Sequence, residues 1–89
     1  MHACTLKRII MTIKKWAINY CYERGMFEDQ AEIVIGNVIN SDEGQIIPWD
    51  SDINDYNLLK FALAISINSY AIKYIEKEYP LAWFKELFK

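Results

Sequence analysis

An all-α fold is expected of this chain: three main helices, a short C-terminal helix, and a second copy packed against it. Three observations predict it. Apolar residues recur at three- and four-residue spacing over three long stretches. The one stretch whose residues also suit a strand, residues 33–39, fails to alternate. No Gly-, Ser- or Pro-rich segment divides the 89 residues, so residues 1–89 read as a single domain. With 53% apolar and 25% charged residues the chain is too hydrophobic to be intrinsically disordered, and two cysteines are too few for a disulfide scaffold. A domain this short hides only about 60% of the surface its unfolded chain exposes. The apolar surplus therefore predicts a homodimer or larger oligomer.

The first helix is expected over residues 5–24, with Leu6, Ile9, Ile10, Ile13, Trp16, Ala17, Tyr20 and Cys21 on one stripe and Gly25 as its stop. Its other face mixes Lys7, Arg8, Lys14 and Lys15 with Met11, Ile18 and Tyr22. That face is either solvated, with its apolar points covered by a neighbour, or a contact surface for an acidic partner. If one helix carried both Cys4 and Cys21, they would lie about 25 Å apart and could not pair within one chain.

The second helix starts near Phe27, with Glu28, Asp29 and Glu32 at the end where the helix dipole favours negative charge. Its stripe is Phe27, Ala31, Val34, Ile35, Val38 and Ile39; Gly36 and the β-branched run before it weaken the pattern without breaking it. Residues 41–56, with Ser41-Asp42-Glu43-Gly44 and Pro48, read as a long loop.

The third helix is expected from Asn54 or Asp55 to Glu78. One face carries Leu58, Phe61, Ala64, Ile65, Ala71, Ile72 and Ile75, and the nearly opposite face Leu59, Leu63, Ile67, Tyr70 and Tyr74. A helix apolar on two sides must be covered on both, which makes it the centre of the domain or the seam of a dimer. Asn68, within the first face, reads as a hydrogen-bonded amide that fixes packing register. Pro80 can open a fourth helix whose Leu81, Trp83, Phe84, Leu87 and Phe88 pack back on the body.

The net charge of −2 conceals a division. Residues 1–25 carry a net of +4, residues 26–56 eight carboxylates and no Lys or Arg, and residues 57–89 a net of +2. Such separation bears on partners and association rates. The amino terminus lacks the apolar core and cleavage site of a secretory signal, and the longest uncharged run, residues 61–72, is too short and polar to span a bilayer. A cytoplasmic protein without a membrane span is expected.

Little in the chain points to catalysis. The single histidine, His2, leaves no base for a Ser-His or Cys-His mechanism, and no phosphate-cradling glycine loop, CxxC pair or HExxH occurs. No enzyme, cofactor or metal is therefore expected. Asp50, Asp52 and Asn54 alternate like the start of a calcium loop, but Asp55 replaces the glycine and Phe61 the bidentate glutamate. Helix capping and a solvated acidic loop account for them better. Trp49, beside Pro48 and several carboxylates, is either a lid on the core or an exposed anchor for a partner.

Two blocks carry a resemblance: Gly25-Met26-Phe27-Glu28-Asp29-Gln30-Ala31, and Ile75-Glu76 with Pro80-Leu81-Ala82-Trp83-Phe84 and Leu87-Phe88. They resemble a group of small proteins encoded by bacteriophages and prophages. The likeness covers residues 25–88, with Trp49-Asp50 and Tyr56 as landmarks between the blocks. Residues 40–48 depart from the pattern, residues 1–10 lie outside it, and Met11 could be the usual start. It implies a phage or mobile-element setting and transfers no active site.

The leading expectation is a non-catalytic phage accessory protein that binds a host protein, such as a defence factor, in the host cytoplasm. Asp42, Glu43, Trp49, Asp50, Asp52 and Asp55 form the expected contact surface, joined by Glu28, Asp29 and Glu32, with carboxylates standing in for phosphates. The alternatives are a small nucleic-acid binder using Lys7, Arg8, Lys14, Lys15 and Tyr22, and a purely structural dimer or assembly factor.

Overall fold

A computed structural model describes residues 11–78 and 82–88. The fold is all-α: α1 (Ile13–Glu23), α2 (Glu28–Ile39), α3 (Leu59–Glu78) and a short α4 (Ala82–Glu86). Single 3₁₀ turns, Gly44–Ile46 and Ile53–Asp55, punctuate the α2–α3 connection. The first three helices pack on one another, and α4 packs on α3. Among the described residues no strand forms; one antiparallel bridge joins Thr12 to Asp52.

The first helix begins later than the periodicity predicts. Thr12 has extended backbone angles and accepts the Lys15 N–H on Oγ1 at 3.1 Å, an N-cap that starts α1 at Ile13. The expectation of a helix from residue 5 is corrected accordingly, and the 25 Å separation of Cys4 and Cys21 loses its premise. Leu6, Lys7, Arg8, Ile9, Ile10, Cys4 and His2 lie outside the described residues. The end of the helix follows the sequence closely. Gly25 adopts φ +102°, donates to Tyr22 O, and is followed by Met26, whose N–H reaches Cys21 O at 3.2 Å. This is a Schellman closure with a buried methionine at its outer position.

α2 resolves the helix-or-strand ambiguity of residues 33–39 in favour of helix, because Ala31, Val34, Ile35 and Val38 bury one face against α1 and α3. Phe27 is not part of that face. It is the N-cap and 73% exposed, its N–H held by Gln30 Oε1 at 2.8 Å. Half of a capping box thus turns the ring outward, while Gln30 itself is buried.

α3 starts at Leu59, four or five residues after the expected Asp55 or Asn54, because Ile53–Asp55 closes as a 3₁₀ turn with Asp52 as its cap. Its buried row is Leu63, Ile67, Ala71 and Ile75, spaced by four. Leu59, Tyr70, Ile72 and Tyr74 pack around it half-buried. The second of the two expected faces is therefore internal. The first divides: Ala71 and Ile75 are buried, while Leu58, Phe61 and Ile65 stand 83%, 73% and 71% exposed.

In the C-terminal segment Phe84 and Phe88 fill the core beside α3. Trp83 does not pack back as expected and Leu87 does so only in part, its Cδ1 beside Gly25 and 42% of the residue exposed; an α-helix places neighbours about 100° apart, so burying Phe84 and Phe88 turns their neighbours outward. Pro80 and Leu81 lie outside the described residues.

Candidate functional site

The acidic connection is fixed by hydrogen bonds at both ends. At its start Ser41 Oγ donates to Val38 O at 2.6 Å and accepts from Gly44 N at 3.1 Å, which folds Ser41-Asp42-Glu43-Gly44 back over the end of α2. Gly44 is buried there, and a Cβ at that position would land on the Val38 carbonyl oxygen. Only a residue without a side chain permits this approach.

At its far end the connection runs along the start of α1. Ile13 N–H donates to Ser51 O at 2.9 Å, Lys14 N–H to Trp49 O at 3.0 Å, and Ile53 N–H to Met11 O at 2.9 Å. The first turn of a helix has N–H groups with no partner inside the helix, and here loop carbonyls accept from two of them. Trp49 links the two ends: its indole N–H donates to Gly44 O at 2.8 Å and its ring is half-buried against the core. The lid reading of Trp49 fits this geometry better than a free anchor.

The carboxylates ride on this frame. Asp42, Glu43, Asp50 and Asp55 are exposed, and Asp52 is half-buried with Oδ1 accepting from Asn54 N at 3.0 Å. The indole bond ties the turn after Asp42 and Glu43 to Trp49, the neighbour of Asp50, whereas Asp55 closes the second 3₁₀ turn on the approach to α3. Asp52 and Asn54 are thus used in capping, the commoner use of such a spacing. Among the described residues no group of three His, Cys, Asp or Glu is placed to hold a metal ion. No helix among them is long and apolar enough to cross a membrane.

The basic face is less separate in space than in sequence. Lys14 and Lys15 are exposed on the first turn of α1 and Tyr22 is exposed two turns on; Lys7 and Arg8 lie outside the described residues. Met11 and Ile18 are half-buried on the core and so are covered apolar points. A groove of about 380 Å³ between α1 and α2 has Lys14 and Ile18 on one wall and Glu32, Ile35 and Gly36 on the other. A shallower hollow of about 240 Å³ joins Lys14 and Lys15 to Glu28. Lys14 and Lys15 therefore share hollows with Glu28 and Glu32 of the acidic middle.

The remaining chemistry is structural. Cys21 is buried on α1, and desolvation pushes its thiol up to about 12, against a smaller opposing pull from Arg24. It is a protonated core residue, not a nucleophile. Along the same helix Trp16 and Tyr20 pack at 5.6 Å between centroids, and the Arg24 guanidinium lies 3.5 Å from the Tyr20 ring centroid. One arrangement escaped the sequence reading, which took Tyr70 and Tyr74 as part of an apolar face, core or dimer seam: they share a groove with Lys73 and Lys77. Tyr-x-x-Lys-Tyr-x-x-Lys was the available signal. No family model, curated protein or solved structure matches the chain.

Proposed function

We propose that this chain is a non-catalytic phage accessory protein that binds a basic surface of a host protein stoichiometrically in the bacterial cytoplasm, with a defence factor as its target. The observation that carries the reading is the frame of the acidic connection. Its carbonyls accept from α1, its Ser41 hydroxyl is tied to the end of α2 and its indole closes back on Gly44, so Asp42, Glu43, Asp50 and Asp55 stand exposed on a preformed ledge. A ligand surface that is already ordered loses less entropy on binding than a loop that must fold first. The phage resemblance of residues 25–31 and 75–88 supports the setting. Self-association belongs to the same reading, with Leu58, Phe61 and Ile65 as the surface a second copy covers.

Nucleic-acid binding through Lys14, Lys15 and Tyr22 is less favoured, since Glu28 and Glu32 stand across the grooves from those lysines and would repel phosphates. Affinity capture from bacterial lysate, followed by binding kinetics with the captured protein, tests the reading. Reversing Asp42, Glu43, Asp50 and Asp55 to lysine should slow association severalfold and flatten its salt dependence, with the helical signal unchanged. Unchanged kinetics would reject the acidic ledge. Trp49→Ala should lower the melting temperature before it lowers affinity; the opposite order would make Trp49 an anchor.

A further inference from the structure

Between α2 and α3 lies a groove of about 480 Å³, lined by Ile33 and Asn37 from α2 and by Tyr70, Lys73, Tyr74, Lys77 and Glu78 from α3. Its volume is within the range of small-ligand sites. Tyr70 and Tyr74 are one helical turn apart, as are Lys73 and Lys77, so two rings and two ammonium groups alternate along one wall. The tyrosines are half-buried against the core and hence held in place, whereas the lysines are exposed.

Neither lysine has a carboxylate within ion-pair distance among the described residues, in contrast to Lys85, which is 3.1 Å from Glu76. Lys73 instead leans over Tyr70, its Nζ 5.5 Å from the ring centroid. Among the described residues Glu78 is the one carboxylate on the lining. It sits at the last residue of α3, leaving the Lys73–Lys77 stretch with a net positive charge.

We infer that this groove binds a nucleotide unit, its base packed on the Tyr70–Tyr74 wall and its phosphate between Lys73 and Lys77. Base-on-aromatic stacking with a nearby cation is tolerant of base identity. The Asn37 amide, which carries both a donor and an acceptor, faces the base edge from α2. Ile33 supplies an apolar contact on the same wall. The same chemistry would serve a free mononucleotide or one residue of a single strand. The site is separate from the acidic ledge and stands or falls without it.

The test is fluorescence anisotropy of the full chain with a labelled oligothymidylate, with adenosine monophosphate and inorganic phosphate as competitors. Binding of the oligonucleotide with competition by the mononucleotide supports the free-nucleotide source; binding without that competition supports a single strand. In either case Lys73→Gln with Lys77→Gln should weaken binding about tenfold or more and reduce the log–log salt slope by about 0.7, the worth of the one phosphate held between them on a single strand. Tyr70→Leu should weaken it about tenfold at unchanged salt slope. Because both lysines are exposed, their variant reports binding even if the tyrosine variant folds poorly. Three outcomes overturn the inference: no binding of either probe, displacement of the oligonucleotide by inorganic phosphate at concentrations no higher than those of the mononucleotide, or loss of binding on Lys14→Gln with Lys15→Gln and not on the α3 lysine changes.

Discussion

The hydroxyl of Tyr20 donates to Oδ1 of Asn68 at 2.8 Å, a side-chain bond between α1 and α3 across 48 positions of sequence. Tyr20 also carries the Arg24 guanidinium on its ring, and Arg24 Nη1 returns to Tyr20 O at 3.1 Å. The amide that interrupts an apolar face of α3 thus fixes how that helix meets α1. Tyr20→Phe keeps the ring and removes the donor, and should cost about 1 kcal/mol in chemical denaturation. Combined with Asn68→Ala, it should show a coupling of similar size in a double-mutant cycle. Strict additivity would mean that the bond contributes nothing to the register.

Two glycines should respond with opposite sign. Gly44→Ala drives a methyl group into the Val38 carbonyl at the close of α2 and should destabilise the fold by roughly 2 kcal/mol or more. Gly36→Ala places a methyl where no atom lies within 4 Å, inside a helix, and should stabilise it by about 0.5–1 kcal/mol. Melting curves of the two variants check both. Equal melting temperatures would mean that the α2–loop turn relaxes freely.

Cys21 gives a pH dependence of definite direction. Its thiol moves from 9.0 when exposed to about 12 in the folded chain, chiefly through desolvation. Above pH 9 the unfolded chain therefore holds fewer protons than the folded one, and stability falls as pH rises from about 9 toward 12. Its contribution is complete below pH 9. In a Cys4→Ser background a thiol reagent at pH 8 should label the chain only after denaturant is added, and Cys21→Ala should remove part of the alkaline loss. Prompt labelling of the folded protein would contradict the burial.

Light scattering should return at least twice the 10.5 kDa chain mass, and Phe61→Asp with Ile65→Asp should return it to that of one chain. Both side chains already face solvent in the single chain, so the change removes apolar surface without emptying the core. A monomeric mass for the unaltered protein at micromolar concentration would show that the strip is left uncovered.

Much of this fold was legible in the sequence because helical spacing and core position coincide. The α2 face follows from it, and Gly25 marks the stop after α1; the α3 row instead joins Leu63 and Ile67 to Ala71 and Ile75, which the spacing assigns to nearly opposite faces. The departures have local causes. Thr12 is a cap hidden inside an apolar period that runs on through Leu6, Ile9 and Ile10, so spacing alone placed the helix start too early. Phe27 is apolar yet serves as the N-cap of α2, where backbone geometry outweighs side-chain preference. The same limit applied at the site: composition marked the carboxylates of residues 42–55, but the tie from Trp49 to Gly44 and the carbonyls offered to Ile13 and Lys14 are backbone matters that no residue type announces.

Because Trp49 O and Ser51 O complete the first turn of α1, the helix cannot fray from that end while the connection stays in place. The amides of Ile13, Lys14 and Ile53 should then exchange with solvent through a shared opening, with the acidic connection and the start of α1 opening together. A partner that clamps the carboxylates would slow that opening. Its arrival would be recorded in the protection of helix amides that it never touches.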